Sequence, residues 1–170
     1  MLVTTEVDYA IKCVLYLCMD QFGYISVADL AEKLSIPKQY LAKILQKLVK
    51  SGIVASHQGK QGGFRLGKNA EEIRMWDIFE SLDAQPVVFK CTKAESSCSD
   101  RVFCAIHPLW MELADYIADR LKNTRVYDLG KKQFDNIHNF LLTNPNSSSI
   151  GKKRRASLAI SRKKQLAEKR

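Results

Sequence analysis

Cys91, Cys98 and Cys104 are separated by six and five residues, and His107 follows three positions later. Thiolates and imidazoles at short spacing are ligands for zinc or for an iron–sulfur cluster. Lys93, Glu95, Ser96, Ser97, Ser99 and Asp100 make the surroundings polar, whereas a structural cysteine usually lies among apolar neighbours. Cys13 and Cys18 fit that structural pattern, since both fall within an apolar helical repeat. Three thiolates can hold three corners of an iron–sulfur cluster, and a fourth, non-thiolate ligand makes it more labile. Zinc on three Cys and one His is equally permissible, although the paired C-x-x-C knuckles common in structural zinc sites are missing. A third chemistry is thiol oxidation without any metal.

The elements around this cluster read as mainly helical. Thr4 or Thr5 caps a first helix with Glu6 and Asp8 in its first turn and Val7, Ala10, Ile11, Val14, Leu15 and Cys18 as its buried side. Ser26 caps a second helix carrying Leu30, Ala31 and Leu34. Pro37 starts a third, running to about Ser51, with Leu41, Ile44, Leu45, Leu48 and Val49 on one face and Gly52 as its stop. Two short helices joined tightly, the second one basic, form a helix-turn-helix. Residues 53–58 and 64–67 read as strands around the glycine-rich turn at 59–63, a β-hairpin wing. A short helix is expected over 73–82 and a short strand at 87–89. The cysteine-bearing loop at 90–107 precedes a long helix, 108–124, with an apolar stripe of Trp110, Leu113, Ala114, Ile117 and Leu121. A further helical piece covers 131–142. The expected units are a winged head at 1–83, a cluster loop at 84–107, a pair of C-terminal helices at 108–142 and a disordered basic tail at 143–170.

Charge is unevenly placed. The 170 residues carry a net charge of +9, but the tail from Thr143 holds nine basic residues against Glu168 alone, leaving +1 for the remainder. The overall basicity therefore does not by itself show DNA binding. The local pattern says more, because no acid occurs between Glu32 and Glu71. In a helix-turn-helix, Lys38, Lys43 and Lys47 would meet phosphates, while Gln39, Tyr40 and Lys43 near the start of the third helix would read base edges. On the wing, Gln58, Lys60 and Arg65 would contact the duplex. No stretch is long and apolar enough for a membrane span, and acids near the N-terminus do not fit a signal peptide, so a cytoplasmic protein is expected. A redox enzyme is disfavoured, because neither a C-x-x-C pair nor a nucleotide-binding glycine motif is present.

Asp8-Tyr9-Ala10, Ile36-Pro37 with Tyr40-Leu41 and Ile44-Leu45, and Gly59-x-x-Gly62-Gly63-Phe64-x-Leu66 occur in the order that resembles the Rrf-type winged-helix regulators, the family of IscR, NsrR and RirA. The resemblance spans about residues 1–130. It implies a homodimeric, sequence-specific transcriptional regulator, a repressor by preference and not an enzyme. The long helix would pair two subunits on a near-palindromic double-stranded operator. It also implies an iron–sulfur cluster, 2Fe-2S or 4Fe-4S, on Cys91, Cys98 and Cys104, sensing redox, nitric oxide or iron and cluster status. The fourth ligand would be His107, as in the IscR type, or Asp8 from the partner subunit, as in the NsrR type. The first cysteine gap is one residue longer than the usual five, and Gln58 replaces an arginine of IscR-type members. A cluster-free regulator on the same fold, using zinc or thiol oxidation, is the alternative.

Overall fold

A computed structural model describes residues 3–19, 23–59, 62–84, 98–100 and 102–144. The expected strand at 87–89, Cys91, Lys60 and the basic tail lie outside the described residues. Helix α1 spans Thr5–Met19, α2 Val27–Leu34 and α3 Lys38–Lys50; strands β1 (Val54–His57) and β2 (Gly63–Leu66) follow; α4 spans Met75–Ser81, α5 His107–Asn123 and α6 Val126–Thr143.

The first three helices form where their caps and apolar spacing put them. The Ser26 side chain accepts a hydrogen bond from the Asp29 amide at 3.1 Å and opens α2. The α2–α3 turn is closed by Ser35, which adopts a left-handed conformation (φ 56°), and by the Ile36 amide donating to the Ala31 carbonyl at 3.0 Å. Burial of Ile36 anchors this turn in the core. Pro37 occupies the cap position rather than the first helical turn, with ψ 125°. Leu41, Ile44, Leu45 and Leu48 of α3 are fully buried against Val7, Ala10, Cys13, Val14 and Leu17 of α1. In α1 the buried side includes Cys13 and Leu17, while Ile11 and Leu15 pack at its margin.

β1 and β2 pair antiparallel, with Val54 opposite Leu66 and His57 opposite Gly63. Ile25 adds a bridge to Phe64, its amide and carbonyl exchanging hydrogen bonds of 2.9 and 2.8 Å. Only glycine fits at Gly63, because a Cβ there would collide with the Ile25 carbonyl. The segment before the helix-turn-helix is thus stitched to the wing.

The C-terminal helices differ from the sequence expectation at their junction. α5 ends at Asn123 and α6 starts at Val126, five residues earlier than expected. Thr124 and Arg125 are extended and run beside the start of α4. The Met75 amide donates to the Thr124 carbonyl and the Val126 amide to the Ile73 carbonyl, each at 2.9 Å. Val126 is fully buried in the same core as α1, α3 and α4. α6 then packs on α1 at Gly130, where a Cβ would stand 2.9 Å from the Cys18 sulfur. Among the described residues, no helix is long and apolar enough to cross a membrane.

Candidate nucleic-acid interface and cysteine loop

α3 buries its leucine face and turns Lys38, Gln39, Tyr40, Lys43, Gln46, Lys47 and Lys50 outward. Lys38, Gln39 and Tyr40 form its first turn, where a recognition helix meets base edges. Tyr40 is 36% exposed and packs edge-on against Tyr9 of α1, with ring centroids 5.7 Å apart. Lys47 is the exception among the lysines, since its Nζ donates to Glu6 Oε1 of α1 at 2.8 Å. This hydrogen bond is the leading cause of the raised Lys47 pKa, with coulombic support from Glu6 and Asp83.

On the wing, Gln58 and Arg65 are exposed. The Arg65 guanidinium lies 4.9 Å over the Tyr24 ring, and Tyr24 in turn packs on His57 at 5.2 Å. Tyr24 therefore aims the wing arginine, a role with no local sequence signal because the contact spans some forty residues. The pairing of Glu6, a first-turn acid of α1, with Lys47 has no local signal for the same reason.

The described part of the cysteine loop leaves Cys98 exposed and Cys104 half-buried, neither in a disulfide. The His107 amide donates to the Cys104 carbonyl at 3.3 Å, so both donors share the turn that opens α5. His107 Nδ1 is shielded from solvent. α5 begins at His107, one residue before the expected Pro108. Asp8 lies on α1 and bonds Lys12 Nζ at 2.6 Å, an exposed pair one turn apart. Among the described residues, no group of three His, Cys, Asp or Glu side chains is gathered as a ready metal site. The donor types suit a cluster or zinc, and Cys104 with His107 is the part of the set the fold brings together.

Apolar side chains at this loop are exposed among the described residues. Val102 is 84% and Phe103 90% exposed, and Ile106, Leu109, Leu113 and Tyr116 continue the surface along α5. α5 buries none of its residues within the chain.

The family profile described as "Rrf2: Iron-dependent Transcriptional regulator" matches residues 3–132. The chain belongs to the Rrf2 family. The HTH-type transcriptional regulator IscR of Pectobacterium atrosepticum is 35% identical over 130 residues, covering 76% of this chain and 79% of that protein. The T. potens IscR structure superposes with a TM-score of 0.62 at 23% identity, over 77% of this chain and 87% of that one, a likeness of fold. Staphylococcus aureus CymR has a TM-score of 0.60 at 27% identity, over 75% of this chain and 96% of its own. The mainly helical winged fold expected from the sequence is the one observed. Membership makes the chain a DNA-binding transcriptional regulator of the Rrf2 type rather than an enzyme.

Proposed function

We propose that this Rrf2 protein acts in the cytoplasm as a homodimeric repressor of near-palindromic operators, and that an iron–sulfur cluster on Cys91, Cys98 and Cys104 sets its operator affinity. The observation that carries the reading is the turn shared by Cys104 and His107 at the start of α5. When bound, the cluster would supply a thiolate-held iron centre reactive to oxidants, nitric oxide or iron supply. His107 is the preferred fourth ligand, because it already neighbours Cys104, whereas Asp8 is engaged by Lys12.

The chain's own residues give this turn a route to DNA. α5 carries the cysteine turn at one end, while the other end is tied by the 2.9 Å hydrogen bonds of Thr124 and Val126 to the start of α4 in the head. Lys122 lies 4.7 Å over the Trp76 ring and adds a second link between α5 and α4. A change in how the loop is held would tilt α5 and move the head with it. The uncovered apolar surface from Val102 to Tyr116 is suited to a second copy, and an exposed patch of this kind is rare on a lone subunit. Two heads on a two-fold axis would then present Gln39, Tyr40 and Lys43 to successive major grooves. Lys38, Lys60 and Arg65 would meet phosphates, and Gln58 would flank the wing contact.

Cys104→Ala, purified without oxygen, is expected to lose visible colour and to change operator affinity about tenfold, a difference of about 1.4 kcal/mol. Unchanged colour and affinity would remove Cys104 from the site. A second reading has its own observation: Cys98 is an exposed free thiol, the kind that oxidises first. In that case a colourless protein would still change affinity on peroxide treatment.

A further inference from the structure

The first two turns of α1 hold the reading helix at both of its ends. Tyr9 packs edge-on against Tyr40 in the first turn of α3, and Glu6 bonds Lys47 in its last turn at 2.8 Å. Among the described residues, no acid makes a comparable ion pair with Lys38, Lys43 or Lys50. Glu6 thus brings an acid to a helix from the acid-free stretch between Glu32 and Glu71, across a sequence separation of 41 residues.

From this geometry we infer that Glu6 withholds Lys47 from the DNA backbone, so that Lys47 serves as a positioning residue for α3 and not as a phosphate contact. A lysine already paired with a carboxylate displaces no counterion when the duplex arrives. A carboxylate left near phosphates would also repel them, which favours keeping the pair closed on DNA. Asp83 adds to the negative potential at Lys47. The two contacts together fix the direction in which Gln39 and Lys43 leave the helix. Sequence choice would then depend on Tyr9 and Glu6, although neither touches a base. The inference rests on the DNA-binding reading above and assigns direct contact to Lys38 and Lys43, removing Lys47 from the set the sequence suggests.

The test measures how binding to a random-sequence duplex and to a selected operator varies with salt, for the full chain. Glu6→Gln frees Lys47, so the plot of log affinity against log salt should steepen by about 0.9 per head, and the preference for operator over random duplex should fall. Glu6→Gln combined with Lys47→Met should return to the wild-type slope, while Lys47→Met alone, which bares the Glu6 carboxylate, is read for folding only. A Glu6→Gln slope equal to wild type overturns the inference, as does a double-variant slope shallower than wild type. Melting temperatures of the three variants, which alter only surface groups, separate a folding defect from a binding one. Were the wild-type chain to bind no duplex at low salt, the DNA-binding reading would fail with it, an outcome distinct from an unchanged slope.

Discussion

Cys13 is fully buried in α1, and burial raises its thiol pKa from 9.0 to about 12. The Cys18 thiol is raised for the same reason. A thiol must ionise to react, so both are inert in the folded protein, while exposed Cys98 is open to reagents. In metal-free protein an alkylating agent is expected to modify Cys98 well ahead of Cys13, as read by mass spectrometry of timed samples. Equal rates would show that the α1 core opens readily. The raised pKa also sets a sign for stability. The unfolded chain ionises Cys13 near its ordinary value while the folded chain does not, so its contribution is intact below pH 9 and is lost as pH climbs towards 12. Urea midpoints of wild type should fall across that window, and Cys13→Ala should show a smaller fall. On the DNA side, Lys38→Ala should weaken operator and random duplex alike and flatten the salt dependence by about 0.9 per head. Gln39→Ala should instead relax operator choice, by about 1–3 kcal/mol at one base position if it makes a paired contact.

The helices differ in how far local sequence decides them. Ser26 as a cap, the Leu41–Leu48 spacing and the glycine turn after His57 each act within a few residues, so α2, α3 and the hairpin were legible beforehand. The start of α6 was not, because it is decided by hydrogen bonds to Ile73 and Met75, some fifty residues away in sequence. Gly130 concealed it further: read alone, a glycine argues against a helix, yet here it permits close contact with Cys18. Gly130→Ala is expected to destabilise the protein by about 1 kcal/mol, as crowding of about 1–3 kcal/mol outweighs a gain in helix propensity of about 1 kcal/mol. Chemical denaturation of the single variant and of Gly130→Ala with Cys18→Ala checks this, since removing the sulfur should recover the loss. The thiol positions are legible as donor types, but among the described residues they are not gathered into one site. Three cysteines in a polar loop declare a chemistry, whereas gathering them depends on contacts that spacing does not encode.

For the whole molecule, charge is concentrated at one end of the chain and exposed apolar surface around the start of α5. The residues from Thr143 onward carry nine basic side chains against one acid, and the rest of the chain has a net charge of only +1. Deleting residues 145–170 should therefore weaken binding to random duplex and lower its salt dependence more than any single lysine variant, with the preference for operator raised. The exposed apolar surface from Val102 along α5 is the surface assigned above to a second copy of the chain. Leu113→Glu should shift the sedimenting species towards monomer. The central claim is that the thiol set controls DNA affinity through a bound cluster. The most direct measurement takes one anaerobic preparation, records its absorbance, iron and sulfide, and titrates operator with that sample before and after the metal is removed. The account predicts a visible charge-transfer band, matching iron and sulfide, and a change of about tenfold or more in operator affinity. A sample that stays colourless after reconstitution, or a coloured one whose affinity is the same with and without metal, would contradict it.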